Sequence, residues 1–397
     1  MADDMGLGDT SAYLKISVIK GSKPITKTLK TPNFESFAKQ SMIFTDAHAP
    51  ASMCSSTRYS LLTGRLPHRS YLKGQGWLPH GPNRPMIQRG ITTLPEMLQR
   101  NGYFTAAIGK YHVGMDFDDG DGKPANEFDY KDVDFTKSLL DGPTHHGFNQ
   151  FFGVPGNTED SLDTEPRIYI RDNKWSFTDR SKMYWTGMKH REGQILSGPH
   201  WDLAQLGPDF LKEGLQFIQM ASQKKNPFFL YYVPTANHFQ RNLNGDYAVP
   251  EFLHGEPIRG ASKYTDGQKG GEREDMVLEN DVAFGALIQK LKETEDPRSP
   301  GKKLIENTLI IFTSDNGPNV GDNEGTNQES GELRGKKAKL WEGGHRVPFV
   351  LYWKGIFENG QINPNLLSLT DLFSSFARIV GDDLQPAEAQ DSLAVSY

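Results

Sequence analysis

Short apolar segments recur along this chain next to stretches of helical periodicity, and the alternation restricts the available folds more than any single residue does. Thr31-Pro32 reads as an N-cap and first-turn proline that open a helix through Phe37, which leads into the apolar segment 42–44. The theme recurs as helix 93–100 before strand 103–108, helix 210–221 before strand 228–233, and helix 276–291 before strand 308–312. An apolar run at 347–352 then precedes a helix around 369–379. Such a pattern predicts an α/β fold with a large, mainly parallel or mixed sheet sandwiched by helices. With 397 residues, 36% of them hydrophobic, the chain can bury a core of that size as one domain over 1–397. From 116 to about 206 the alternation fails. Glycine, aspartate and aromatics, including Trp175, Trp185 and Trp201, crowd that segment, which reads either as insertions shaping a pocket mouth or as a surface excursion with packed aromatics.

In sheets of this kind ligands collect beyond the carboxyl ends of the strands. Three predicted strand ends carry polar groups: Lys110 and His112, the segment 234–238 with His238, and Ser314-Asp315-Asn316-Gly317. Asp3 and Asp4, together with Asp315 and Asn316, offer oxygen ligands that suit a hard cation such as calcium or magnesium. Each pair alone is an ordinary turn signal. Cys54 is the only cysteine, so it forms neither an internal disulfide nor a thiolate metal cluster. With Ser52 as N-cap and Gly64 as stop, it falls in the first turn of a short helix, one turn from Arg58 on a face that favours an anion. The residues alone leave Cys54 either an inert core thiol or a reactive one.

The formal net charge of -6 gives no basic footprint for nucleic acid, and no run approaches the roughly 20 apolar residues of a membrane span. Asp116 to Gly122 holds four aspartates but reads as a solvated turn, lacking the full pattern of a calcium loop. His190 and His200 are either pocket-lining groups or isolated surface histidines without a role.

The run Cys54-Ser55-Ser56-Thr57-Arg58, continued by Leu62-Thr63-Gly64-Arg65, resembles the signature of the type I, formylglycine-dependent sulfatases of the alkaline-phosphatase-like superfamily. Ser56 stands where the family has proline or alanine. Asp3-Asp4-Met5-Gly6 and Ser314-Asp315-Asn316-Gly317 match the family's metal-binding motifs, in the family's order around the cysteine. Gly109-Lys110-Tyr111-His112 is similar to its glycine-lysine-tryptophan-histidine motif, and Trp341-Glu342-Gly343-Gly344-His345-Arg346-Val347-Pro348 to a later segment. Alignment by that segment selects Lys337, with Lys336 and Lys339 as rivals. His145-His146-Gly147-Phe148 and Phe151-Phe152-Gly153 add support for the fold only.

The resemblance implies an alkaline-phosphatase-like fold and hydrolysis of sulfate esters on a sulfated carbohydrate, with an aryl sulfate at best an artificial substrate. It implies that a formylglycine-generating enzyme converts Cys54 to an aldehyde whose hydrate attacks sulfur. It gives the metal, calcium or else magnesium, to Asp3, Asp4, Asp315 and Asn316; the sulfate oxygens to Arg58, Lys110 and Lys337; the leaving oxygen to His238; and release of sulfate to His112. An export route to periplasm or medium follows from the same likeness, although no signal peptide is present in this chain. Sulfatases carry an apolar strand ahead of the aspartate pair and a C-terminal subdomain with an antiparallel sheet, so the chain reads as truncated at both ends, with that subdomain largely missing. Two other functions stay open at this point: a phosphodiester or phosphonate monoester hydrolase of the same superfamily, and a non-catalytic binder of sulfated glycans.

Overall fold

A computed structural model describes residues 1–73, 78, 84–125, 132–157, 166–188, 191–238, 249–319, 329–357 and 359–395. Its helices are α1 Pro32–Ala38, α2 Cys54–Thr63, α3 Leu94–Arg100, α4 Leu206–Ala221, α5 Glu272–Glu293, a one-turn α6 Glu342–His345 and α7 Leu372–Val380; all but α6 fall where the sequence predicts a helix. Thr93 caps α3 through a reciprocal pair with Glu96, its backbone N–H reaching Glu96 Oε2 at 2.7 Å. Helix α5 begins before the predicted residue 276, because Glu272, Glu274 and Asp275 in its first turn favour the positive end of the helix dipole.

Among the described residues nine strands build the two larger sheets: β1 Met42–Phe44, β2 Phe104–Lys110, β3 Gln150–Val154, β4 Ile170–Arg171, β5 Lys174–Trp175, β6 Phe228–Val233, β7 Ile310–Thr313, β8 Phe349–Tyr352 and β9 Gln361–Asn363. One sheet has the order β5-β4-β3-β2-β6, with β2 parallel to both β3 and β6. The other has the order β7-β8-β1-β9, and there β8 runs antiparallel to both neighbours while β1 and β9 are parallel. The architecture is therefore mixed rather than mainly parallel. A parallel neighbour needs a crossover that returns the chain to its starting end, and between β7 and β8 the described residues form only the one-turn α6.

Met1 and Ala2 lie between the sheets. The Met1 amine donates to the Tyr232 carbonyl of β6 at 2.7 Å, and Ala2 pairs in parallel with Ser314 beyond β7. Asp3 and Asp4 thereby stand beside the carboxyl ends of β2, β6 and β7.

The stretch 116–206 is more than an insertion. It supplies β3, β4 and β5 to the first sheet and an antiparallel pair, Tyr184–Met188 with Arg191–Ser197. Trp175 is buried between Phe117 and Phe135, with ring centroids 4.9 and 4.8 Å away. Asp118 and Asp119 turn the chain by accepting backbone N–H groups from Gly120, Gly122, Asp121 and Lys123, the solvated turn expected there. His146 Nε2 lies 2.7 Å from Asp141 within the fold, His200 is exposed, and His190 lies outside the described residues.

A buried charged cluster at the strand ends

Helix α2 starts at Cys54, one residue later than a Ser52 cap would give. Met53 takes the cap position in extended geometry, with no side-chain cap bond. Ser52 instead accepts the Ala338 N–H on its carbonyl at 2.8 Å, which ties the loop carrying Lys337 to the segment leading into Cys54. Gly64 ends the helix in the left-handed conformation at φ 63°, as predicted.

Every residue of α2 is buried, and its first two turns carry Cys54 and Arg58 into a cluster of ionic groups. Cys54 Sγ lies 3.5 Å from Asp3 Oδ1 and 3.8 Å from Asp4 Oδ1. Arg58 donates from Nε and a terminal nitrogen to Asp315 Oδ2 at 3.2 and 2.8 Å, to Asp3 Oδ2 at 3.1 Å, and to the Lys110 carbonyl at 2.5 Å. Lys110, at the end of β2, donates to Asp3 Oδ2 at 2.7 Å. Lys337 straddles the Asp4 carboxylate, 2.8 Å from one oxygen and 2.9 Å from the other. Lys336 is half-buried, as Lys337 is, and Lys339 is exposed.

One ligand atom each from Asp3, Asp4, Asp315 and Cys54 lies within 4.8 Å of the others, and His238 forms a similar group with Asp3 and Cys54. Asn316 donates to Asp4 Oδ1 at 2.7 Å, and its own Oδ1 is buried with no hydrogen-bond partner among the described residues. Three carboxylates and a spare amide oxygen make an oxygen-rich donor set that fits a hard divalent cation. His112 is buried as well, and its Nδ1 has no hydrogen-bond partner among the described residues.

The charges set one another. Burial pushes the Asp3 carboxyl up, but Lys110, His238 and Arg58 outweigh it and hold Asp3 well below the usual carboxylate range. Burial wins at Asp4 against Lys337, and its pKa is raised. Burial, with Asp3 and Asp315 beside it, also raises the Cys54 thiol, which stays protonated. Burial, Lys110 and Arg58 lower His112 well below the ordinary histidine value. At His238 burial and the lysines pull down, yet Asp3 and Asp4 pull harder, and the net shift is strongly upward.

Three residues at the site had no role of their own in the sequence reading. Asn237, left-handed at φ 82°, donates to the Asp4 carbonyl at 2.7 Å, and Ser314 Oγ accepts the Met5 N–H at 2.9 Å. Arg273 of α5 donates to Asp9 and, at 3.4 Å, to the Asp4 carbonyl. Asp4 and His112 share the left-handed backbone, at φ 52° and 54°. Non-glycine residues hold that conformation at a cost of about 1–3 kcal/mol, and such strain gathers at functional sites. The motif Ser314-Asp315-Asn316-Gly317 and the strand-end segment 234–238 were the available signals for Ser314 and Asn237; Arg273 lies in a segment with no local mark.

A family model described as Sulfatase matches residues 2–381. The chain is 28% identical to arylsulfatase G of Rattus norvegicus across 100% of its own length and 67% of the relative's. It is 27% identical to N-acetylgalactosamine-6-sulfatase of Sus scrofa, across 99% of its length and 63% of the relative's. It thus spans about two thirds of these proteins. Among solved structures, a Bacteroides thetaiotaomicron protein studied in the metabolism of multiple glycosaminoglycans superposes with a TM-score of 0.74 at 23% identity, over 99% of this chain and 79% of that one. A family match along nearly the whole length, on the fold that this mixed α/β architecture shares, places the chain in the sulfatase family of sulfuric ester hydrolases.

Proposed function

We propose that the chain hydrolyses sulfate esters of a carbohydrate at the cluster around Cys54, after conversion of that cysteine to formylglycine by a maturation enzyme. The observation that carries the reading is the convergence of Asp3, Asp4 and Asp315 on Cys54 Sγ inside a ring of Arg58, Lys110 and Lys337. Reading Cys54 as the precursor of the nucleophile rests on the match of its segment to the family signature. The carbohydrate part rests on a relative whose name specifies N-acetylgalactosamine 6-sulfate chemistry.

Asp3, Asp4, Asp315 and Asn316 would hold calcium, or magnesium in its place; when bound, the ion supplies positive charge to the sulfate oxygens. Arg58, Lys110 and Lys337 bind and orient those oxygens from the other sides, and their fixed positions stabilise charge that develops in the transition state. His238, within 4.8 Å of Cys54 and rich in carboxylate neighbours, donates a proton to the departing oxygen. His112, kept neutral by burial and then by its cationic surroundings, accepts a proton from position 54. Maturation and export travel with this reading, as they do for the family the chain resembles.

Mass spectrometry of the Cys54 peptide, from protein made with and without a formylglycine-generating enzyme, tests the first step, and a panel of sulfated mono- and disaccharides tests the second. An unmodified thiol in active protein would sink the nucleophile assignment. Turnover of phosphodiesters with sulfate esters untouched would move the chain to a different hydrolase class.

A further inference from the structure

Another set of side chains with metal-ligand chemistry lies on the far side of the loop that leads into Cys54. His48, on the short strand Ala47–His48, and His345, at the end of α6, face each other with their Nδ1 atoms 3.0 Å apart. His48 Nε2 lies 2.8 Å from Asp46 Oδ1, and the Leu340 carbonyl accepts from the His345 ring. The two facing Nδ1 atoms stand at hydrogen-bond distance, a spacing that one shared proton satisfies and that also brings two nitrogen ligands to the same point.

A carboxylate oxygen of Glu342 completes a group in which all three ligand atoms lie within 4.8 Å of one another. Arg346 takes Glu342 Oε2 at 3.2 Å, which leaves the other oxygen of that exposed carboxylate available. We infer that His48, His345 and Glu342 form a second metal site, selective for a zinc-like divalent ion and separate from the oxygen-rich cluster at Cys54. Two imidazoles and a carboxylate are three of the four tetrahedral ligands zinc takes, with water for the fourth, whereas calcium prefers oxygen throughout. Nitrogen ligands on tetrahedral zinc stand roughly 3.3 Å apart, so closure asks for a shift of a few tenths of an ångström. Asp46 orients the His48 ring from behind and is itself held by Arg346 at 2.7 Å, the usual support behind a ligating histidine.

The site joins two walls of the active-site loop. Ala49 donates to the His345 carbonyl at 2.7 Å, and the Ala338–Ser52 bond lies further along the same pair of segments. A bound ion staples the segment entering Cys54 to the loop that carries Lys337, and stabilises the fold without touching sulfate.

The test uses the full chain, saturated with calcium and freed of transition metals, titrated with Zn²⁺ against a chromophoric chelator and with Co²⁺ by absorption. Expected are one equivalent of Zn²⁺, a rise in Tm on binding, and tetrahedral cobalt bands without an intense thiolate-to-metal band. Asp46→Asn weakens binding roughly 10–100-fold. Exposed Glu342→Gln, which leaves the fold intact, also weakens it, and His345→Gln abolishes both binding and the Tm rise. Absence of zinc binding, binding that survives His345→Gln or is untouched by Glu342→Gln, or a thiolate band that puts the ion on Cys54 would each overturn the inference.

Discussion

Replacing Arg58 by methionine probes the electrostatic organisation of the site most directly. The side chain is fully buried, and methionine keeps most of its apolar stem while deleting the charge and every donor. Four hydrogen bonds disappear, two to Asp315, one to Asp3 and one to the Lys110 carbonyl. Asp315 then loses its ion-pair partner inside the protein, and removing one member of a buried pair costs about 3–5 kcal/mol. Set against a typical domain stability of about 5–15 kcal/mol, that leaves the variant close to unfolding. Arg58→Lys keeps the charge but not the planar fork, and lies between the two at roughly 2 kcal/mol. Calcium should rescue Arg58→Met more than it stabilises the parent, because the cation supplies the charge that the guanidinium removed. Urea unfolding followed by tryptophan fluorescence, in chelator and in millimolar calcium, measures all three. An Arg58→Met chain within ~1 kcal/mol of the parent in chelator would refute the idea that this cation holds the carboxylates together.

Glu279 of α5 is 3% exposed and burial alone pushes its pKa to about 8. A folded-state pKa above the unfolded value means that stability is full below pH 4.5 and is lost as pH rises through about 8, a loss on the order of 4 kcal/mol that Glu279→Gln should abolish in denaturation measured across that range. Lys337→Ala should lower kcat on a sulfate ester by about 10²-fold, while Lys339→Ala stays near the parent; equal effects in steady-state assays would contradict the selection of Lys337. Gly64→Ala meets both a φ of 63° and the Ala389 side chain 2.6 Å from the new Cβ, whereas Gly90→Ala at φ 85° meets open space. Thermal melts should place Gly64→Ala about 2 kcal/mol below the parent and clearly below Gly90→Ala.

Apolar runs that cross a core uninterrupted were legible residue by residue. The segment 228–233 is a strand with those limits, because its six residues are apolar or aromatic and sit beside α4. Strand direction was not legible in the same way. Nothing local in Phe349–Tyr352 says that it runs against its neighbours; that follows from how the chain returns through α6. Strands β4 and β5 have two residues each, too short for any periodicity to mark, and their place in the sheet comes from pairing across Ile170 and Trp175.

At the site, legibility divides along chemical lines. The charged side chains of the cluster stand in motifs, and Asp3 with Asp4, Lys110, Asp315 and Lys337 come together from four separate segments. Groups that hold those segments in place act on backbone atoms, and backbone leaves no motif. Asn237 grips a carbonyl of Asp4, and Ser52 serves through its own carbonyl, so substitution of its side chain would leave the tie to Ala338 intact. The cluster also carries its own constraint on chemistry. Burial first, then the carboxylates of Asp3 and Asp315, raise the Cys54 thiol while Lys110 and Lys337 pull it down, so the groups that make the donor set for a cation also set the charge state of position 54.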